Sequence, residues 1–102
     1  MKALVCVIAL VVPTIAFGQE TGDPGPGAVF AEKTCSHCHD IKGAGPSPEP
    51  TAPPFQNVAI TPGMTANALT VWLTTSHPTM PNIVLEPQDR DNVVAYILSL
   101  KK

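Results

Sequence analysis

The sequence predicts an all-α fold. Three stretches carry helical periodicity, and the connections between them are long and rich in proline. That is too little helix to bury both helices and loops without a large apolar guest. With 102 residues there is room for one small domain. A chain of this size buries a modest core, so a metal or cofactor is expected to staple it.

The N-terminus stands apart from the helical region. "MKALVCVIALVVPTIAFGQE" has one positive residue, Lys2, then an apolar run from Ala3 to Val12, then small residues at Ala16 and Gly18. This order describes a secretory signal peptide, residues 1–18, cleaved after Gly18. Ala3 to Phe17 is short for a membrane span and is interrupted by Pro13, so no stable membrane anchor is expected. Cys6 is expected to leave with the leader. The remaining domain, residues 19–102, keeps five of the six basic residues and all eight acidic ones, a formal charge of −3. It shows no basic patch, which excludes a nucleic-acid partner. Export implies an oxidising compartment, the periplasm, where two close thiols need something to hold them.

The first helix is expected in "PGAVFAEKTCSHC", with Pro26 in its first turn and Val29, Phe30 and Lys33 at helical spacing. The second is expected in "TANALTVWLTTS". Thr65 reads as its N-cap, and Leu69, Trp72, Leu73 and Ser76 fall at i, i+3, i+4 and i+7. The third, "EPQDRDNVVAYILSLKK", is the clearest. Pro87 suits its first position, Asp89 and Asp91 its positive start, and Lys101 and Lys102 its end. Val93, Tyr96, Ile97 and Leu100 make one apolar face. Residues 40–63 hold six prolines and are expected to be loop, as is "SHPTMPN", residues 76–82. Trp72, Phe55 and Tyr96 are expected to pack in the core.

The chemistry concentrates in "TCSHCHD", residues 34–40. Zinc would need four ligands, and beyond Cys35 and Cys38 the domain offers no second cysteine pair. A thioredoxin-like dithiol opens a helix beside a βαβ pattern, whereas Cys35 closes a helical run with no such pattern in view. A plain disulfide across three residues would close too short a loop to stabilise much. The remaining reading is C-x-x-C-H, Cys35-Ser36-His37-Cys38-His39, the attachment signature of c-type haem. Two thiols at this spacing reach the two vinyl groups on one porphyrin edge, and the next residue offers its imidazole to the iron. For the sixth position the candidates are Met64, Met80 and His77. Proline on both sides, Pro78 and Pro81, favours Met80 as the axial partner of His39. Met64, at a helix start beside Gly63, is expected to pack or to stay exposed. His77 would give a lower-potential iron with two histidines, and is read instead as a surface or supporting group.

At these residues the chain resembles the small class I cytochromes c of bacteria. The resemblance covers the whole mature chain. It rests on "CSHCH", on "TMP" at 79–81, and on the C-terminal helix carrying Tyr96 and ending "YILSL". It implies one covalently bound haem c inside three main helices and long loops. It implies terminal helices that cross at a close-approach glycine and an aromatic pair, matched here by Gly27, Phe30 and Tyr96. It implies a proline carbonyl bonded to the proximal histidine, with Pro46 the expected donor of that carbonyl. The expected function is periplasmic electron transfer between redox partner proteins, by a monomer forming transient complexes, without enzymatic turnover. The alternatives are a subunit of a larger dehydrogenase or oxidase complex, and a haem sensor or enzyme with a labile sixth ligand. Docking is expected on a weakly charged patch formed by Gly43 to Gly45 and Pro81 to Ile83.

Overall fold

The computed structural model describes residues 1–13 and 22–102. Residues 1–13 are exposed and without regular secondary structure, and the expected cleavage point after Gly18 lies outside the described residues. The described residues form four helices and no strand: α1 (Pro24–Thr34), α2 (Phe55–Ala59), α3 (Ala66–Thr74) and α4 (Pro87–Ser99). The all-α expectation holds, with one helix more than expected. α2 lies inside the proline-rich loop, in the seven-residue gap between Pro54 and Pro62. That gap has room for little more than one turn. Its first amides bond back to the loop, Phe55 N–H to Asp40 O at 2.8 Å and Gln56 N–H to Gly43 O at 3.3 Å. Tertiary partners therefore complete a helix too short to stand alone.

α1 starts two residues earlier than expected, at Pro24, because Asp23 caps it by accepting from Gly25 N–H at 2.9 Å. α3 starts where expected, with Thr65 Oγ1 accepting from Ala68 N–H at 3.1 Å. α4 begins on Pro87 with Asp89 in its first turn. It ends at Ser99, so Lys101 and Lys102 lie beyond its last turn.

α1, α2 and α3 all pack against α4. The core joins Ala31 of α1, Phe55 and Ala59 of α2, Leu69 of α3, and Val93, Val94 and Ile97 of α4. Each large apolar side chain buried there contributes about 1.5–3 kcal/mol of transfer free energy. The expected face of α4 is recovered: Val93 and Ile97 are buried, and Tyr96 and Leu100 are partly buried against them. α1 and α4 touch backbone to backbone. A Cβ on Gly27 would stand 2.0 Å from Asn92 O, and one on Gly22 would stand 1.9 Å from Asp91 O. Only glycine allows this approach. Asn92, a buried polar residue, ties the crossing by accepting from Asp23 N–H at 2.8 Å and from Gln88 Nε2 at 2.9 Å. The ring beside Tyr96 is Phe55, at 6.4 Å between centroids, rather than the expected Phe30, which packs partly buried against the core.

Candidate functional site

Cys35 is the C-cap of α1 and continues it in αR conformation. Cys38 N–H and His39 N–H both donate to Cys35 O, at 3.2 and 2.9 Å, so the five-residue motif coils into a turn at the helix end. The turn is anchored on its far side as well, where Glu49 N–H donates to Cys38 O at 3.1 Å. Cys35, Cys38 and His39 thereby line one cavity of about 670 Å³. Both cysteines carry free thiols. Burial pushes the Cys35 thiol up to about 11. Redox-active dithiols need the opposite shift, so this pair does not fit thiol exchange. Among the described residues, no group of three or more His, Cys, Asp or Glu is placed to hold a metal ion, which leaves the zinc alternative without support.

His39 is oriented from behind. Its Nδ1 lies 2.7 Å from Pro53 O. A carbonyl only accepts, so Nδ1 carries the proton and Nε2 keeps a free lone pair. The ring also packs on Phe55, 5.1 Å between centroids. The carbonyl therefore comes from Pro53, not from Pro46. Pro46 was expected because it is the first proline after the motif. The chain instead runs on past Glu49 and returns beneath the histidine at Pro53, just before α2 begins. The signal available in sequence was the Pro53-Pro54 pair just before an aromatic residue, where the extended backbone cannot fold away from Phe55.

The second wall is the segment from Thr75 to Leu85. His77, Met80, Pro81, Asn82 and Ile83 all line the cavity, whereas Met64 does not and packs instead against the core. Gly43 to Gly45 do not line it either; within the Thr75–Leu85 segment Val84 is 98 % exposed, whereas Ile83 is half-buried. Thr79 has φ 75°, a left-handed conformation that a β-branched residue rarely adopts. His77 Nε2 stands 3.0 Å from Met80 Sδ, and its ring stacks on Trp72 at 4.4 Å. Trp72 is 56 % exposed and lines the cavity, so it packs as part of the cavity wall and not among the buried core residues.

The rest of the wall is apolar: Phe55, Leu69, Leu73, Val93 and Ile97. Arg90 adds one cation, whose Nε is buried without a hydrogen-bond partner. The volume falls within the range of sites for sizeable organic ligands. One imidazole with a free lone pair, two thiols on a single turn and a thioether share one apolar cavity. That donor set fits a flat, iron-bearing macrocycle with two thiol-reactive substituents.

The family model for cytochrome c matches residues 26–101. No curated protein and no solved structure matches the chain.

Proposed function

The chain belongs to the cytochrome c family, and from that premise we propose that it is an exported electron carrier whose iron is held by His39 and Met80. The family carries one covalently attached haem c and serves haem-based electron transfer. The haem supplies a one-electron couple between Fe(III) and Fe(II). The residues of this chain do the rest. Cys35 and Cys38 give the two thioether bonds. His39 gives Nε2 to the iron, and Pro53 O fixes its tautomer and raises its basicity. Met80 gives a soft, neutral sulfur that favours Fe(II) and raises the potential. Phe55, Leu69, Val93 and Ile97 exclude water and keep the pocket at low dielectric.

The observation that carries this reading is the His39–Pro53 hydrogen bond, in a cavity that Cys35, Cys38 and Met80 also line. The N-terminal leader pattern supports a periplasmic location, and among the described residues no helix is long and apolar enough to cross a membrane. Partners are other redox proteins. Membership of a larger oxidoreductase complex is the second reading, and periplasmic pull-down separates the two.

Two measurements test the proposal. Denaturing mass spectrometry of periplasmic protein is expected to show a chain starting at Gln19 with one haem added. A bare peptide mass from cells competent in haem attachment overturns it. In the holoprotein, Met80→Ala is expected to remove the near-infrared sulfur-to-iron band and lower the reduction potential, while Met64→Ala leaves both in place. The reverse pattern would make Met64 the ligand.

A further inference from the structure

The charges of this chain are unevenly spread. Residues 50–85 hold no Asp, Glu, Lys or Arg, whereas residues 19–49 hold seven and residues 86–102 hold six. An average stretch carries about one charged residue in four. α3 lies wholly inside the uncharged stretch. We propose that the outer face of α3 is where two copies of this chain meet.

Three observations carry it. The first is a stripe. Leu69 is buried and Leu73 half-buried against the core. On the opposite side Asn67, Val71 and the C-cap residue Thr75 recur every four residues, with Ala68 beside them, and all are exposed. Trp72 borders this stripe where it meets the cavity. Val71 is 52 % exposed and Trp72 56 %. The outer face of a helix ordinarily carries its charges, as α1 shows by exposing Glu32 and Lys33. The second is the state of the threonines. Thr74 Oγ1 donates to Thr70 O and Thr75 Oγ1 donates to Val71 O, both at 2.8 Å. Their protons are spent on the helix's own carbonyls, so the face binds water less well than its composition suggests. An exposed tryptophan and valine among uncharged neighbours have the composition of an interface core.

The third is the charge of the whole. The domain of residues 19–102 carries a formal −3, so two copies repel unless they meet where neither is charged. The inner side of α3 packs on α4, so its outer face looks away from the helix that starts with Glu86, Asp89 and Asp91. A charged partner finds nothing to pair with there, and a lipid surface finds no cation for its headgroups. A second copy brings the same uncharged stripe, and a two-fold axis sets Val71 and Trp72 of each against the other. α3 has nine residues, about 13 Å of helix. Two such faces bury less than the ~1,200 Å² of a stable interface, so the pairing is weak and reversible. Nothing in it depends on which side chain holds the iron.

The experiment follows holoprotein by sedimentation velocity and amide NMR over a hundredfold range of concentration, up to about 1 mM. The mean mass is expected to rise towards twice that of one chain. Concentration-dependent shifts should gather on the outer residues of α3. Added salt should strengthen the pairing, because it screens the repulsion between the copies. Val71→Glu should weaken association tenfold or more. Val71 does not line the cavity, so the visible spectrum and reduction potential of that variant should match the parent. Should Val71→Glu fail to fold, Ala68→Glu puts the same charge on the stripe. A mass that stays at one chain up to the highest concentration overturns the proposal and leaves the face to some other protein. Shifts that gather on α1, pairing that weakens with salt, or association untouched by either variant would overturn it too.

Discussion

The two walls of the cavity are built in different ways. The Cys35–His39 turn grows from the end of α1, a helix locked to α4 at Gly27 and Gly22, and its histidine is braced by Pro53 O. Tyr96 of α4 donates to Ile41 O at 2.6 Å, two residues past the motif, and closes the frame. The Thr75–Leu85 wall has no such frame. The side-chain hydrogen bonds described for it are short-range: His77 to Thr75 and to Met80 within the loop, and Thr75 Oγ1 donating to Val71 O of α3 just before it; its backbone passes through a left-handed threonine. One wall is held by long-range contacts, and the other by local stiffness from Pro78 and Pro81. The difference places rigidity at the Cys35–His39 turn and leaves Met80, the proposed second ligand, on the segment that can yield.

Breaking the rigid wall should cost most. Gly27→Ala puts a methyl into the Asn92 backbone at 2.0 Å, and backbone cannot step aside as a side-chain tip can. The α1–α4 crossing must open, and we expect a loss of about 3 kcal/mol or more. Denaturant unfolding of the holoprotein measures it. A loss under about 0.5 kcal/mol would show that the close approach carries no weight. The thioether bonds should survive even so, because the motif's own turn is local.

Much of this frame was legible in the sequence. Pro87, Thr65 and the α4 stripe carry local rules that the structure obeys, and C-x-x-C-H states its chemistry in five residues. Less legible were contacts set by the path of a loop. Pro53 differs locally from Pro46 only in its neighbour Pro54, and the course of the chain from Glu49 to the start of α2 decides which carbonyl reaches His39. Asn92 and Gly22 carry no pattern of their own and gain their roles from the crossing. Trp72 sits on a helical stripe like a core residue, but the stripe runs on past the core and onto the cavity wall.

A smaller effect is expected from Tyr96→Phe, which removes the frame's link to Ile41 O. The loss at neutral pH should be about 1–2 kcal/mol, since a carbonyl close to the core is left without its donor. The variant also tests a pH dependence. Burial raises the phenol above its ordinary value of 10.0, with the negative charges of Asp40 and Glu32 adding to the rise. The folded state therefore holds this proton more tightly than the unfolded chain. Its contribution is full below about pH 10 and is lost as pH climbs from there through the raised folded value. Unfolding curves across that range should show the parent losing stability faster than Tyr96→Phe. Parallel curves would mean that the phenol ionises alike in both states.

The smallest effect, and of opposite sign, is expected in the yielding wall. Thr79 at φ 75° costs about 1–2 kcal/mol relative to ordinary backbone for an L-residue. Glycine tolerates that conformation but loses about 0.5–1 kcal/mol more entropy on ordering. Thr79→Gly should therefore be close to neutral or stabilising by up to about 1 kcal/mol, seen as a higher denaturant midpoint at unchanged slope. The sign is what matters, because glycine inserted into a loop with ordinary dihedrals destabilises. Relieving the strain should also hold Met80 more firmly at the iron, so the sulfur band should persist to higher temperature in the variant. A clear loss of stability, with the band failing earlier, would show that the loop's rigidity comes from the threonine side chain, and that the contrast between the two walls is smaller than their backbones suggest.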